Sequence, residues 1–302
     1  MGSKVSEQSV RPVEESLGTP PKSARRQFYE RFKRQRGAVV GACFLVFMIS
    51  IALLAPVIAP HSPSAISAEF RLTGPSATYW LGTDDLGRDI VSRMLFASRD
   101  SLQAALIAVT VALAIGLPFG LASGFVGGLV DQLISRLNDG LMAFPSLVLA
   151  IAIVGVIGPG LRNAMIAIGI SYAPNFVRII RGATIAVRQE VFIEAAYQVG
   201  SPVHRTLIRH VFPNVLSPII VQTTLASGLA ILAESTLSFL GLGSQPPTPS
   251  WGGMLSRGFQ YMDAQPFNVI APGVTIVLVV YAVNLLGDGI HDAVGRETRR
   301  AE

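Results

Sequence analysis

Five stretches of this chain run without a charged residue: 37–60, 101–130, 140–161, 211–233 and 264–287. Each is longer than the roughly 20 apolar residues a helix needs to cross a bilayer core. A sixth stretch, 163–177, is shorter and carries Pro174, which makes it the least regular of the set. The uncharged stretch 235–256 reads differently, because it contains Pro246, Pro247 and Pro249 followed by Gly252 and Gly253. Proline removes backbone donors and hydrocarbon offers no water in their place, so this segment is no lipid-exposed helix. The pattern predicts an all-α membrane protein with six transmembrane helices: one N-terminal anchor helix over 37–60, an intervening segment over 61–100, and a five-helix core over 101–287. Short tails, 1–36 and 288–302, flank them.

Composition sharpens this picture. Of 302 residues half are hydrophobic and only 14% charged, against roughly a quarter charged in soluble domains. With the N-terminus placed in the cytoplasm, 18 of the 24 Lys and Arg fall on the cytoplasmic side and six on the outer side. This is the bias of the positive-inside rule, and an even number of spans puts both termini in the cytoplasm. The net charge of +5 therefore reflects membrane topology and gives no reason to expect nucleic acid. The start Met1–Ser6 fits an acylation pattern and Arg25-Arg26 a twin-arginine signal, but a solvated basic tail accounts for both. The 37–60 stretch is too long for a cleaved signal core and stays as an anchor.

Several function classes are excluded. The three lysines, Lys4, Lys22 and Lys33, all lie in the tail, so no phosphate-cradling G-x-x-x-x-G-K-[ST] loop exists and the chain hydrolyses no nucleotide. His61, His204, His210 and His291 fall outside the spans, leaving the intramembrane Ser171 without a base. Catalytic residues and a metal site are not expected, and the lone Cys43 rules out a disulfide framework. Ion-coupled transporters place ionisable groups along their pathway; here Glu234 stands nearly alone within a span. An energy source belongs to a partner.

The chemistry concentrates in the cytoplasmic loop 178–214. Glu194, Ala195 and Ala196 favour helix, Gly200 suits a left-handed helix end, and Pro202 suits the first turn of a second helix. In that second helix Val203, Leu207 and Val211 recur every fourth residue, and Pro213-Asn214 is expected to break the chain before the fifth span. Two readings fit this helix–Gly–helix element: a docking knob for a partner, and an amphipathic segment lying at the membrane interface.

The spacing Glu194-Ala-Ala-x-x-x-Gly200, nine residues, then His210-x-Phe-Pro213 resembles the EAA loop of bacterial ATP-binding-cassette importer permeases. The common form has Ile and Leu at the places of His210 and Phe212; His before the Phe-Pro, followed by Asn214, is similar to the dipeptide/oligopeptide/nickel branch. Leu81–Arg93, Leu237–Gly243, Pro246–Leu255 and Asn284–Ala293 resemble the second, shorter-tailed permease of that branch's heterodimer, so the likeness covers residues 36–296. Val294-Gly295-Arg296 departs from it, where an Asp-Pro pair is common. The resemblance implies the type I importer permease fold and a coupling helix made by Glu194, Ala195, Ala196, Gly200, His210, Pro213 and Asn214. It further implies a homologous second permease, two ATPase subunits, an extracytoplasmic substrate-binding protein, and the cytoplasmic membrane of a bacterium as location. The chain itself would bind no cofactor, with ATP and Mg used by the ATPases. Peptides lead as substrate; nickel chelates, glutathione and haem are the alternatives.

Three further groups carry expectations. Asp84, Asp85, Arg88 and Asp89 are candidate contacts for the binding protein, against a reading in which Asp–Arg pairs merely hold an interfacial helix. Glu234 and Trp251 are candidate pathway or gate residues; a structural hydrogen bond is the alternative for Glu234. The glycines 116, 120, 124, 127 and 128 permit tight helix packing within the chain or against a second permease. The rival classes are a stand-alone secondary transporter or channel, which needs a more polar interior, and a scaffold whose 178–214 loop binds another partner.

Overall fold

The computed structural model describes residue 30 and residues 32–298. Most of the expected 1–36 tail, and residues 299–302, lie outside that range. Among the described residues from Arg36 onward the helices are α1 (Arg36–Ile58), α2 (Ile90–Val126), α3 (Gly128–Met142), α4 (Ser146–Ile157), α5 (Leu161–Arg188), α6 (Val191–Gln198), α7 (Val203–Phe239), α8 (Trp251–Phe259) and α9 (Phe267–Thr298). A single 3₁₀ turn, Ala68–Phe70, interrupts the segment between α1 and α2. Among the described residues no strand forms, and one β-bridge pairs Thr83 with Asp89.

Among the described residues four helices are long and apolar enough to cross a membrane: α1, α2, α7 and α9 through Ala293. The pair α3 and α4 passes the same test jointly, but the two are bent by 90°. The expected straight helix over 140–161 is therefore absent. Pro145 restricts the residue before it, and the chain turns at Ala143–Pro145 between the two helices. Helix α5 has 28 residues, about 42 Å at 1.5 Å per residue, yet Asn163, Asn175, Arg178 and Arg181 keep it below the apolarity of the others.

Helix α5 leaves Arg178 exposed and Asn163, Asn175 and Arg181 half-buried. It packs along α2, beside α7 and α4. The closest line of approach runs through Gly116, Gly120 and Gly124 of α2, which meet Phe176, Ile180 and Thr184 of α5 in matching four-residue steps. A Cβ on Gly120 would stand 2.7 Å from Ile180 Cβ, and one on Gly124 2.6 Å from Thr184 Cβ. These three glycines thus serve contact within the chain, not an interface with a second permease. Helix α1 lies on α9, where Gly41 faces the Ala282 carbonyl and Gly289 faces Ala38. Helix α8 packs across α7 and α9, with Trp251, Ile90, Met165 and Leu237 in the core beneath it.

Helix α7 starts earlier than the sequence pattern predicts, and Pro213 does not break it. A π-helical turn, Leu207–Val211, precedes the proline, and the Phe212 amide bonds to the Leu207 carbonyl. The wider turn makes room for a ring that would otherwise meet the carbonyl four residues back. Asn214 Nδ2 donates to the His210 carbonyl at 2.7 Å and takes up part of the lost bonding. The wide turn also shifts the register. Val211 is buried and Leu207 half-buried, whereas Val203 is exposed, against the expected four-residue stripe.

Candidate functional site

Helix α6 is a short knob held by few contacts. Ile193 and Ala196 point inward. Ile193 is fully buried in a cluster with Phe125, Phe176, Ile180, Val211 and Val215, a burial that contributes about 1.5–3 kcal/mol. Tyr197 stacks on Phe125 with ring centres 6.2 Å apart. The helix ends in a left-handed turn: Gly200 has φ +72°, its amide bonds to the Tyr197 carbonyl at 2.9 Å, and the Ser201 amide reaches Ala196 at 3.0 Å. This pair of bonds satisfies the last carbonyls of the helix, and glycine alone takes that φ without penalty. The Thr206 hydroxyl donates to Ser201 Oγ at 3.0 Å and fixes the angle into α7.

The outward face of this element carries large apolar side chains among charged ones such as Arg205 and Arg209. Glu194, Ala195 and Gly200 are exposed, and around them lie Val191, Phe192, Val199, Val203 and Ile208, with Val199 83% accessible. A side chain on Gly200 would meet nothing within 4 Å. Of the other residues expected here, Ala196 packs inward, His210 is half-buried, and Pro213 and Asn214 stay exposed on the first turns of α7. Large apolar side chains exposed together on a helix pair mark a candidate surface for a macromolecular partner.

A second feature was not anticipated. A cleft of about 300 Å³ opens between α4, α5 and α7, lined by Ser146, Leu147, Tyr172, Asn175, Gln222, Ala226, Leu229, Leu232, Ala233 and Thr236. No charged side chain lines it. Amides and hydroxyls at membrane depth are costly against lipid, so this face suits water, substrate or protein. The only signal in the sequence was a few amides inside apolar stretches, which gives no direction to a side chain.

Glu234 and Trp251 lie elsewhere. Glu234 is fully buried and turned away from the cleft. Ser238 Oγ donates to it at 2.7 Å and Ser101 Oγ at 3.3 Å, tying α7 to α2. Ser238 Oγ also accepts the Ser244 amide at 3.3 Å, so the same knot holds the turn after α7. Trp251 is fully buried at the start of α8, its indole N–H 3.4 Å from the Met94 carbonyl. Both residues act as internal braces in this conformation.

The acidic–basic group before α2 is likewise turned inward, in a turn and not in an interfacial helix. Asp84, Arg88 and Asp89 are buried, and Asp85 is half-buried. Asp84 receives Arg88 Nε at 2.7 Å and the Leu86 and Arg88 amides at 2.9 and 3.0 Å, with Arg93 Nε 3.4 Å away. Asp89 caps α2, accepting from the Ser92 amide and hydroxyl. Asp85 pairs with Arg257 of α8 at 3.6 Å, and Gln265 Nε2 donates to the Thr73 carbonyl at 2.7 Å. The segment 61–89 is thereby laced to the region around α8.

Comparison with known proteins agrees with this architecture. Residues 116–300 match the family of binding-protein-dependent transport system inner membrane components, and residues 23–75 match the N-terminal TM domain of oligopeptide transport permease C. The chain is 46% identical over 268 residues to the dipeptide transport system permease protein DppC of Alkalihalophilus pseudofirmus, covering 89% of this chain and 88% of that protein. It is 42% identical over 268 residues to the glutathione transport system permease protein GsiD of Escherichia coli O1:K1 / APEC, at 88% coverage of each. An inward-facing structure of the MetNI methionine ABC transporter shares the fold, with a TM-score of 0.55 at 17% identity over 70% of this chain and 98% of that one. The charge-free spans, the helix–Gly–helix knob and these matches converge: the chain belongs to the binding-protein-dependent transport system inner membrane components.

Proposed function

We propose that this chain is the permease subunit of an ATP-dependent importer that carries dipeptides and short oligopeptides across the cytoplasmic membrane. The observation that carries the reading is the set of large apolar side chains exposed on α6 and the start of α7, around Glu194, Ala195 and Gly200. One of two ATPase subunits would dock there and the other on the second permease, using ATP and Mg that this chain does not bind. Closure of the ATPases would displace α6, and Ile193, fixed among Ile180, Val211 and Val215, would pass that displacement to α5 and α7. The chain would do no catalysis itself.

The cleft between α4, α5 and α7 is half of a pathway in this account. A homologous second permease would supply the other half, and a binding protein would deliver substrate from outside. Counting α5 and taking α3–α4 as one broken span gives six crossings, with α1 as an anchor and both termini cytoplasmic. The dipeptide assignment leans on the DppC relative, and the GsiD relative supports glutathione, itself a small peptide, as the second reading. The uncharged lining suits passage of amide-rich solutes of varied side-chain charge.

Mild-detergent purification of the tagged chain from its native membrane, with mass spectrometry of its companions, tests the assignment. Two ATPases and a second permease are expected. A stable chain without companions would return the secondary-transporter reading to the front.

A further inference from the structure

The broken segment α3–α4 is fastened to α5 by an ion pair that the docking element and the cleft do not include. Arg181 Nε and Nη2 donate to Asp131 Oδ1 and Oδ2 at 2.6 and 2.7 Å, a two-pronged arrangement. The same carboxylate accepts from Ser123 in the last turn of α2, and from Ser135 Oγ at 3.2 Å. Further along the same face of α3, Asn138 Nδ2 donates to the Pro174 carbonyl of α5 at 3.2 Å. The opposite face exposes Leu129, Leu133 and Leu137. Polar contacts thus decide how α3 sits on α5, and the guanidinium fork fixes orientation as well as distance.

The position of this pair gives it significance. Arg181 lies two turns before Arg188, where α5 ends and the chain passes through Gln189 and Glu190 into α6. At its other end α3 bends by 90° into α4, whose Ser146 and Leu147 form one wall of the cleft. Helix α5 supplies the facing residues Tyr172 and Asn175. A shift of α5 would move those two directly; Ser146 and Leu147 follow both through the packing of α4 on α5 and through α3. The α4 contact is apolar and non-directional, whereas the fork, with the Asn138–Pro174 bond, holds α3 to α5 in a fixed orientation.

We propose that Asp131 and Arg181 are positioning residues that make α3–α4 travel with α5, so that movement at α6 reaches both walls of the cleft together. The proposal rests on the docking role of α6 given above. Neither residue touches the cleft or the docking face.

The test uses the assembled complex, with wild-type partners, in proteoliposomes. Its variants are Asp131→Asn, Arg181→Lys and the exchanged pair Asp131→Arg with Arg181→Asp. Substrate taken up per ATP hydrolysed is the readout, beside the amount of co-purifying ATPase. The single variants are expected to hydrolyse ATP at the wild-type rate while uptake per ATP falls about five- to tenfold, within the range of coupling residues. The exchanged pair is expected to regain part of that loss. Arg181→Lys keeps the charge but loses the fork, so it decides the matter if Asp131→Asn fails to assemble. Unchanged uptake per ATP in the single variants, or ATP hydrolysis and uptake falling in equal proportion, would overturn the proposal. Absence of ATPases from the wild-type complex would overturn the docking reading and this proposal with it; variants that keep their ATPases and their coupling overturn this proposal alone.

Discussion

Alanine at position 120 sets the α2–α5 contact against a purely local gain. The new Cβ would lie 2.7 Å from Ile180 Cβ, 2.9 Å from its Cγ2 and 3.0 Å from the Val177 carbonyl oxygen. Carbon atoms rest at about 3.5–4.0 Å, so the two helices must part by roughly 1 Å at this level. Overpacking of this size costs about 1–3 kcal/mol. Parting the helices also loosens the contacts of Gly116 with Phe176 and of Gly124 with Thr184. Alanine returns about 1 kcal/mol through helix propensity, leaving a net loss of up to about 2 kcal/mol. Gly182→Ala on α5 is the control, because a Cβ there meets nothing within 4 Å and only the propensity gain remains. Thermal unfolding of the purified protein in detergent, followed by loss of the monodisperse peak, measures both. At about 2–4 °C per kcal/mol, Gly120→Ala should lower Tm by up to roughly 8 °C while Gly182→Ala leaves it level or slightly raised. Equal Tm values for the two variants would refute the packing argument.

Three shorter predictions follow from other parts of the structure. At Gly200 the constraint is the φ of +72° and not space, so Gly200→Asn should keep uptake largely intact, since Asn tolerates the left-handed region. Gly200→Val should abolish uptake at an unchanged membrane level, and full uptake by the Val variant would show the turn to be dispensable. For Glu234, Gln preserves shape and bonding to Ser101 and Ser238 and should stay within about 1 kcal/mol of wild type. Glu234→Ala strands those hydroxyls, at about 1–3 kcal/mol for the unmade bonds, and a Tm equal to that of the Gln variant would argue against the brace. Asp84→Ala removes the nearer of the two carboxylates that Arg88, 3% accessible, pairs with, leaving Asp85 at 3.7 Å, and takes a partner from Arg93, a loss of up to about 3–5 kcal/mol. Its amount in the membrane should drop, and normal abundance would contradict the structural role of the Asp84 knot before α2.

What could be read from the sequence, and what could not, divides along physical lines. Long charge-free stretches located α1, α2, α7 and α9, because hydrocarbon demands continuous apolar residues and leaves that demand written in the chain. Helix α5 was harder to place for the opposite reason: Asn175 on the cleft wall and Arg181 paired with Asp131 blur the apolar signal. The bend at Ala143–Pro145 was hidden inside an uninterrupted apolar run, where hydropathy is blind to direction. Pro213 misled because a proline predicts a break, whereas the π turn at Leu207–Val211 absorbs it. The left-handed end at Gly200 was legible from local chemistry alone. The knot of Glu234 with Ser101, 133 positions apart, and the fork of Asp131 with Arg181, 50 apart, follow from tertiary packing that no periodicity encodes. The cleft belongs with them, since its walls come from three helices.

The central claim is that α6 and the turn after it are where partner ATPases dock. A photo-reactive amino acid placed at Val199, 83% accessible beside Gly200, tests it directly in intact membranes that still take up substrate. The account predicts an irradiation-dependent adduct between this chain and an ATPase subunit, identified by mass spectrometry. Label found on lipid or on the chain alone, while uptake persists, would contradict it.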